Sequence, residues 1–530
     1  MTTPQLLEEI RRRRTFAIIS HPDAGKTTLT EKLLLYGGAI HLAGSVKARR
    51  ASRHAASDWM AMEQERGISV TSSVMRFEYG GYLLNLLDTP GHQDFSEDTY
   101  RTLVAADAAV MLLDNRKGVE EQTRKLFNVC KRRRLPIFTF VNKCDRPGEE
   151  PLQLLDDVTR DLGIQCYPVT WPVRTGNRFL GVLDRTTEEV HLFDSQGDHG
   201  MTRVGTRVLS LHSNELEAAL PAEALDRLRE EVELLDMAGA EMDREAFQAG
   251  ELSLTFFGSA LTNFGLEPFL KHFLEWGIPP APREAEDDIV EPTDDGFTGV
   301  IFKVQANMDP KHRDRIAFVR VVSGRFEPGM QVVVTRTGKG IRLAAPQQFV
   351  ARERTSLEEA WPGDVVGIHD RGSLRVGDTL SESGRVDFQG MPRFSPEHFS
   401  AVRIQDPLKR KQLDQGLRHL SEEGAVQVFY AESHTGPAPI VGAVGVLQFD
   451  VLLHRLEHEY SVRARLEPLP YRHARWVRGP EEAITALARL PGRSLVHDVG
   501  GLPLILFDQE WTLQRTVQEA KSLEFFDVRP

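Results

Sequence analysis

The sequence predicts an α/β protein in which a P-loop domain with a mostly parallel sheet precedes a β-barrel domain and a ferredoxin-like α+β domain. Three observations lead to this prediction. From about residue 15 to 170, short apolar runs alternate with amphipathic stretches, which is typical of a parallel sheet covered by helices. From 297 to 380, glycines separate short strand-like runs, as in a β-barrel. After residue 399, the patterns follow the order β-α-β-β-α-β.

Composition and charge are those of a globular chain with several domains. The 530 residues include 65 Lys and Arg and 77 Asp and Glu, so the formal net charge is −12. That balance excludes a protein that holds nucleic acid through its total charge, although local basic patches are compatible with it. The three cysteines form no CxxC pair, and no apolar run reaches the roughly 18 residues of a membrane span. We therefore expect a cytoplasmic protein with no membrane segment.

The first domain is expected to span residues 1–280, with an insertion at about 176–250. Strands are predicted at 17–19, 83–87, 108–113, 136–141 and 254–257, and helices at 27–35, 121–133 and 216–235. Asp88, Asp114 and Asn142 each follow one of these strands directly. Because ligands bind outside the carboxyl ends of the strands in such sheets, these side chains mark a candidate site.

The β-barrel domain is predicted at 297–385, after a linker at 279–296 that is rich in proline and acidic residues. A second linker at 381–396 leads to the ferredoxin-like domain at 395–530. The first helix of that domain carries an apolar stripe of Leu408, Leu413, Leu417 and Leu420, and a second helix is predicted at 447–460. No internal repeat is evident.

A phosphate-binding loop is predicted between the first strand and the first helix. The segment SHPDAGKT fits the pattern GxxxxGK[ST], except that serine replaces the first glycine. Backbone N–H groups would hold the phosphates, the lysine would reach the β- and γ-phosphates, and the threonine hydroxyl would ligate Mg²⁺. The predicted nucleotide-binding residues of this loop are Ser20, His21, Pro22, Asp23, Ala24, Gly25, Lys26 and Thr27.

A second motif, DTPGH, follows the strand at 83–87. Asp88 is placed to hold Mg²⁺ through water, the N–H of Gly91 to sense the γ-phosphate, and His92 to orient the attacking water. Ser69 lies between the two motifs, where a nucleotide-sensing loop is expected, and is a candidate second hydroxyl ligand of Mg²⁺. The full motif is Asp88, Thr89, Pro90, Gly91 and His92.

A third motif predicts guanine specificity. The carboxylate of Asp145 can accept hydrogen bonds from the N1–H and N2–H₂ groups of guanine, whereas adenine would leave it unpaired. Asn142 can bond the loop and the base, and the Lys143 stem can cover the ring. The motif comprises Asn142, Lys143, Cys144 and Asp145. Ser259 and Ala260 follow the strand at 254–257 and are candidates to donate backbone N–H groups to guanine O6.

Together these motifs resemble those of the translational GTPases, and within that superfamily the chain resembles the class-II release factors. DTPGH with the following Asp-Phe and the segment RGI at 66–68 are typical of the superfamily. The segments that carry the closer resemblance lie in all three domains, at 20–28, 57–75, 86–103, 305–324, 420–429 and 440–460. Ser69 departs from the threonine that is common in the superfamily, but it keeps a hydroxyl.

This resemblance implies a P-loop GTPase domain and a role in translation termination. Class-II factors bind the ribosome and use GTP binding and hydrolysis to promote release and recycling of class-I release factors, without hydrolysing the peptidyl-tRNA ester themselves. The resemblance also implies that Lys26 and His92 are catalytic. It further implies that GTP or GDP is bound with Mg²⁺, and that Thr27, Ser69 and Asp88 hold the metal. We also expect a monomer that binds no membrane, and slow hydrolysis away from the ribosome, since no arginine finger in cis is obvious.

Two basic stretches are candidate contacts with ribosomal RNA. Residues 301–325 contain six Lys and Arg against two Asp, and residues 403–418 contain five against two. Phosphate contacts of this kind are independent of sequence and sensitive to salt. Solvated protein faces would have the same composition, so both interpretations remain open.

Four other functions are weighed against this prediction. An elongation-factor-like translocase would need two further domains, for which the roughly 70 residues after Tyr460 are too few. A factor that delivers aminoacyl-tRNA would have a second β-barrel where helical patterns occur here. A metabolic P-loop kinase would leave the motif at 142–145 unexplained. A non-hydrolysing GTP-binding scaffold would not require His92 for turnover.

Overall fold

The computed structural model describes most of the chain. Described are residues 3–38, 73–90, 94, 96–176, 178–193, 205–239, 241–306, 315–343, 347–350, 353–370, 372–388, 391, 395–431 and 438–527. In the described part of the first domain, the strands are β1 (Arg13–Ser20), β2 (Ser73–Tyr79), β3 (Tyr82–Asp88), β4 (Ala108–Asp114), β5 (Ile137–Asn142), β6 (Gln165–Pro168), β7 (Thr170–Thr175), β8 (Arg178–Asp184), β9 (Glu189–Phe193), β10 (Thr206–Ser210) and β11 (Leu252–Phe257). The helices are α1 (Thr3–Arg11), α2 (Lys26–Tyr36), α3 (Ser96–Ala105), α4 (Glu121–Arg132), α5 (Pro151–Leu162), α6 (Asn214–Ala219), α7 (Ala222–Met237), α8 (Arg244–Gln248) and α9 (Leu266–Trp276).

A seven-stranded sheet forms the centre of the first domain, in the order β2-β3-β1-β4-β5-β11-β6. Its neighbouring strands are parallel, except for the antiparallel pair β2 and β3, and the sequence analysis does not predict β2. Strands β1, β4, β5 and β11 are buried along their whole length, because apolar clusters pack on both faces of the sheet. The parallel direction brings the carboxyl ends of β1, β3, β4, β5 and β11 to one edge.

A second, antiparallel sheet is added to this domain in the order β10-β9-β8-β7. It starts at Thr170, before the predicted start of the insertion at 176. Only Val169 separates β6 from β7, so no polar break in the sequence marks the boundary. His272 of α9 donates a hydrogen bond to Asp184 at the end of β8 at 2.7 Å, and both side chains are buried. This hydrogen bond links the antiparallel sheet to the central part of the first domain.

The second domain is an antiparallel β-domain with a barrel-like core. Two short strands, β12 (Arg283–Glu284) and β13 (Ile289–Val290), first pair within the linker. The strands of the domain are β14 (Thr298–Ala306), β15 (Arg315–Ser323), β16 (Gln331–Val334), β17 (Lys339–Arg342), β18 (Gln347–Val350), β19 (Glu353–Ser356), β20 (Val365–His369) and β21 (Thr379–Ser381). They form one sheet in the order β17-β16-β21-β14-β15-β20-β18-β19, which packs around an apolar cluster.

The third domain contains two β-α-β-β-α-β units where the sequence suggested one. Its elements are β22 (His398–Ile404), α10 (Arg410–Glu422), β23 (Gln427–Ala431), β24 (Ala438–Ala443), α11 (Leu447–Tyr460), β25 (Ala464–Pro468), β26 (His473–Arg478), α12 (Glu481–Ala488), β27 (Arg493–Asp498), β28 (Pro503–Phe507), α13 (Glu510–Glu519) and β29 (Glu524–Phe526). Strands β23 and β27 pair and join the units into one sheet, β25-β22-β24-β23-β27-β28-β26-β29. The two units repeat the same order of strands and helices. A search for repeated residues in the sequence does not detect a repeat of this kind.

Leu408 was assigned wrongly to the apolar stripe of α10. It lies in a 3₁₀ turn (Pro407–Lys409) before the helix and is 90% exposed. The carboxylate of Asp406 caps this turn by accepting the N–H of Leu408 at 3.0 Å. The other three leucines of the predicted stripe are fully buried against α11.

Three consecutive residues at the end of α10 join the three domains. Glu422 forms an ion pair with Arg315 of β15 at 3.0 Å, and Glu423 pairs within its own domain. The carbonyl of Gly424 accepts a hydrogen bond from Arg101 of α3 at 3.1 Å. Glu422 therefore contacts the second domain, and Gly424 contacts the first domain.

The basic stretch at 301–325 is mostly internal in this fold. Lys303, Arg315 and Arg320 are buried, and Arg320 pairs with Asp107 of the first domain at 2.6 Å. Positions 311 and 313 lie outside the described residues. Two of these six cations, Arg315 and Arg320, are therefore paired across domain boundaries. In the stretch at 403–418, by contrast, four of the five cations are exposed, at positions 403, 410, 411 and 418.

Candidate functional site

The loop between β1 and α2 has the backbone shape of a phosphate-binding loop. Asp23 and Gly25 adopt left-handed conformations, with φ of 66° and 102°. Gly25 stands at the N-cap of α2, and because glycine supplies no capping side chain, the first N–H groups of the helix are left for an anionic ligand. Ser20, which replaces the first glycine of the motif, is the last residue of β1 and is buried, so its Cβ belongs to the sheet rather than to the loop.

Lys26 and Asp88 meet at the centre of the site. Nζ of Lys26 donates to Oδ1 of Asp88 at 2.5 Å, and both side chains are buried. Ile18 of β1 is paired with Asp88 of β3 in the sheet. This pairing fixes the position of the Asp88 carboxylate beside the phosphate-binding loop. The hydroxyl of Thr89 donates to the Ile18 carbonyl at 2.7 Å and holds the backbone that follows Asp88.

Asn142 links the phosphate loop to the loop after β11. Its Nδ2 donates to the carbonyl of Ala24 at 2.8 Å, and its Oδ1 accepts the N–H of Ala260 at 2.8 Å. The packing is tight, because a Cβ added to Gly25 would lie 2.3 Å from Nδ2 of Asn142. The side chain is buried at the end of β5. Two of the three predicted motifs and the segment at 259–260 are thus joined through one amide group.

Lys143 is held over the loop by two oxygen atoms. It has a left-handed backbone with φ of 67°, and its Nζ donates to the carbonyl of Asp23 at 2.6 Å and to Oδ2 of Asp114 at 2.7 Å. Burial by itself would raise the pKa of Asp114, but the hydrogen bonds from Lys143 and from the N–H of Arg116 lower it below its usual value. Asp114 therefore stays ionised and fixes the ammonium, so that the Lys143 stem lies along the edge of the loop.

Asp145 presents a carboxylate oxygen that has no partner among the described residues. Its Oδ1 is buried and makes no hydrogen bond there, while Oδ2 lies 3.7 Å from Arg146. A buried acceptor of this kind is costly unless a ligand supplies donors. The N–H groups of a guanine edge would do so. Burial raises the pKa of the neighbouring Cys144 thiol to about 12, which keeps this side chain neutral.

Ser259 and Ala260 lie near the other motifs, and their bonds to guanine O6 stay a prediction. The N–H of Ser259 donates to the carbonyl of Phe264 at 2.9 Å, and the N–H of Ala260 donates to Asn142. Both donors are therefore engaged by protein acceptors, because residues 259 and 264 close a tight turn after β11. In this geometry Ala260 acts by fixing the amide of Asn142.

Of the remaining predicted site residues, some lie in the described part of the structure and others lie outside it. His21, Pro22 and Thr27 line the phosphate loop and are partly buried, and Nε2 of His21 lies 3.4 Å from Oε1 of Glu120. Pro90 is buried directly after Thr89. Gly91, His92 and Ser69 lie outside the described residues.

Asp94, two residues after the DTPGH segment, and Arg101 of α3 both contact the third domain, and the sequence indicates no role for either. The N–H of Leu447, at the start of α11, donates to Oδ2 of Asp94 at 2.8 Å. Gly445 packs so closely that an added Cβ would lie 2.2 Å from the Asp94 side chain. No sequence pattern could pair these positions, since 353 residues separate Asp94 from Leu447.

The oxygen atoms at the site suit a hard divalent cation. No group of three or more His, Cys, Asp or Glu that could hold a metal by itself occurs in the described ranges. The Thr27 hydroxyl and the Asp88 carboxylate supply oxygen ligands of the kind that Mg²⁺ prefers, and such sites complete their coordination with phosphates and water.

Family models match all three domains of the chain. The model described as elongation factor Tu GTP binding domain matches residues 11–279, so the first domain is a guanine-nucleotide-binding domain of that type. The model of elongation factor G domain 2 matches residues 296–383. The model described as class II release factor RF3, C-terminal domain, matches residues 388–517.

Curated relatives match over almost the whole chain. Peptide chain release factor 3 of Symbiobacterium thermophilum is 55% identical over 520 residues, which cover 98% of this chain and 98% of the relative. The protein of the same name from Acaryochloris marina is 52% identical over 526 residues, covering 99% and 97%. A crystal structure of a protein from Thermus thermophilus shares the fold, with a TM-score of 0.68 at 24% identity over 89% of this chain and 71% of that one. The chain belongs to the peptide chain release factor 3 family of translational GTPases.

Proposed function

We propose that this chain is a ribosome-dependent GTPase of translation termination that promotes the release and recycling of class-I release factors. The observation that carries the proposal is the full-length similarity to peptide chain release factor 3, which includes the matched C-terminal domain. A translocase of the elongation-factor type is the less favoured alternative, because only the first two domains match elongation-factor models.

The strand-end site accounts for the choice of guanine nucleotides. Asp145 offers a buried acceptor to the amino edge of the base, and Lys143 is fixed so that its stem can cover the ring. The N-terminus of α2 and Lys26 receive the phosphates. Adenine presents the opposite pattern of donors and acceptors, so it would leave Asp145 unpaired in a buried position.

Thr27 and Asp88 would hold Mg²⁺ beside the terminal phosphates. The cation would supply positive charge that neutralises the negative charge on the phosphate oxygens. Lys26 donates to Asp88 at 2.5 Å, and with a nucleotide present its ammonium would instead contact phosphate oxygens. We propose that His92 orients the attacking water and that Ser69 supplies a further hydroxyl ligand.

We also propose that the protein acts in the cytoplasm as a monomer. Within the described ranges, every helix is too short or too polar to cross a lipid bilayer. The partners follow from the proposed role: the ribosome directly, through RNA and protein, and the class-I factors through their release.

A termination assay with purified ribosomes tests this function. Ribosomes that carry a stop codon are mixed with a limiting amount of a class-I factor, and the rate of class-I factor turnover is measured with the full chain and GTP. We expect faster turnover with the chain, and no peptide release by the chain alone. The His92→Ala variant should bind GTP and fail to accelerate turnover. Peptide release by the chain alone, or no effect on turnover, would contradict the proposal.

A further inference from the structure

A run of basic residues at the end of α4 forms the strongest uncompensated positive surface that we find among the described residues. Lys131, Arg132, Arg133 and Arg134 are consecutive and exposed, in a chain whose net charge is −12. Arg283 of the linker lies beside them. We call Lys131, Arg132, Arg133 and Arg134 the 131–134 surface.

The guanidinium groups of Arg133 and of the neighbouring linker residue Arg283 donate to the same acceptor. Arg283 donates to the carbonyl of Val104 at 2.6 Å, and Arg133 donates to the same oxygen at 3.3 Å. Val104 lies at the end of α3, where a cation stabilises the helix dipole. One arginine is enough to stabilise the dipole of α3, and the second arginine adds repulsion between the two positive charges.

Few acidic groups offset these charges. Asp107 is the carboxylate that acts on Arg283, and its Oδ2 is already paired with the buried Arg320 at 2.6 Å. Burial, and then the charges of Arg133 and Arg320, lower the pKa of Arg283 below its usual value. The fold thus keeps three arginines around one aspartate, which is an electrostatic cost that an anionic partner would relieve.

Other cations of the same helix are arranged differently. Arg124 pairs with Asp161 at 3.1 Å and Lys125 pairs with Glu121 at 2.9 Å, so each is neutralised locally. Lys303, Arg315 and Arg320 of the stretch at 301–325 are buried. In the stretch at 403–418, Arg403 pairs with Glu467 at 2.8 Å and Arg410 with Asp414 at 3.2 Å, while Lys411 and Arg418 are exposed. The 131–134 surface therefore differs from these stretches in carrying four consecutive exposed cations.

We propose that the 131–134 surface binds the sugar–phosphate backbone of RNA. This inference rests on the proposed function for its setting, in which the RNA is that of the ribosome. Several adjacent exposed cations fit a series of phosphates better than a single small anion. Arginine and lysine contacts to phosphates need no base recognition, so the surface would bind without sequence preference.

The test compares two double variants of the full chain that remove the same charge. Arg132→Gln with Arg134→Gln alters exposed residues for which the structure shows no contact between domains. Arg124→Gln with Lys125→Gln is the control on the same helix. Binding to purified ribosomes and to purified ribosomal RNA is measured from about 50 to 200 mM salt, with GDP affinity and thermal unfolding as checks on the fold.

We expect the 132/134 variant to bind both ribosomes and RNA about tenfold more weakly at about 50 mM salt, and its plot of log affinity against log salt to be shallower by about 1 to 2. The control should match the unaltered chain. Equal behaviour of the two variants would overturn the proposal. A loss of ribosome binding without a loss of RNA binding would also overturn it, and would indicate an acidic protein partner.

The proposed function and this surface can fail separately. If the unaltered chain shows no ribosome-stimulated GTP hydrolysis but its binding to RNA still depends on residues 132 and 134, the function is wrong and the surface stands. If hydrolysis is stimulated and RNA binding ignores these residues, the surface is wrong and the function stands.

Discussion

The side-chain amide of Asn142 donates a hydrogen bond to the carbonyl of Ala24 at 2.8 Å. The same amide accepts the N–H of Ala260 through its oxygen. One buried residue at the end of β5 therefore sets the spacing between the phosphate loop and the base-binding side of the site. A nucleotide that spans both sides depends on this spacing.

Replacement of Asn142 by alanine should weaken GDP binding about 30-fold. Each lost hydrogen bond costs about 1 kcal/mol, and two are lost together. Equilibrium titration with a fluorescent GDP analogue measures the effect. Gly25→Ala should weaken binding as well, because its Cβ would collide with Asn142, whereas Gly340→Ala, at an open position, serves as the control. Unchanged affinity in Asn142→Ala would show that this amide does not set the spacing.

Asp114 should slow the release of GDP by holding Lys143. In Asp114→Asn the ammonium loses its charged partner, so we expect GDP to dissociate about tenfold faster, which corresponds to about 1.4 kcal/mol. Stopped-flow displacement of labelled GDP gives the rate. Asp161→Asn removes a similar carboxylate from an exposed pair with Arg124 and should leave the rate unchanged. Equal rates in the two variants would rule out the role of Asp114.

The contact between Asp94 and Leu447 should transmit the ribosome's effect from the third domain to the nucleotide site. We expect Asp94→Ala to lower ribosome-stimulated GTP hydrolysis about tenfold and to leave the ribosome-free rate unchanged. Asp94→Asn keeps an oxygen acceptor and should retain most of the stimulation. Gly445→Ala should behave like Asp94→Ala, since it forces the same two segments apart. Full stimulation in both Asp94→Ala and Gly445→Ala would contradict this coupling.

The buried pair of Asp184 and His272 should make the stability of the first domain depend on acid pH. Burial would raise the pKa of Asp184, but the hydrogen bonds from His272 and Thr186 and the charge of His272 lower it to about 2. A carboxyl group with a lowered pKa stabilises the fold above its usual value of about 4, and this contribution is lost as pH falls toward about 2.

Thermal unfolding of Asp184→Asn and of the unaltered chain tests this contribution. We expect the variant to be less stable by about 3 kcal/mol at neutral pH, because it leaves His272 without its charged partner. The difference in melting temperature should shrink as the pH falls from about 4 to about 2. A difference that stays constant over that range would mean that the carboxylate charge of Asp184 does not stabilise the fold.

The sequence predicts β1, β3, β4, β5 and β11 of the central sheet because their signals are local. These strands are apolar runs, and three of them end in a polar residue of the site, at Asp88, Asp114 and Asn142. The contacts that connect these residues are not local. Lys26 with Asp88, Asn142 with Ala260, and Asp94 with Leu447 depend on how distant strands and domains pack.

The wrong assignment of Leu408 has the same origin. Leu408 fits an apolar helical period, but Pro407 and the capping Asp406 begin a 3₁₀ turn there and leave it in solvent. The basic residues at 303, 315 and 320 have the composition of an RNA-binding surface, yet the fold buries them between strands and domains. Ser259 and Ala260 lie in the expected place, but a turn that forms only in the folded chain engages their N–H groups.

The central claim is that the strand ends form one site whose carboxylate at Asp145 selects guanine, and a base-specificity measurement tests it most directly. The affinities of the unaltered chain and of Asp145→Asn are measured for GDP, ADP and XDP. We expect the unaltered chain to prefer GDP over both others by at least about 100-fold. The variant should prefer XDP, because its amide donates to the carbonyl that xanthine has in place of the guanine amine. Retained preference for GDP in the variant, or tighter binding of ADP by the unaltered chain, would contradict the account.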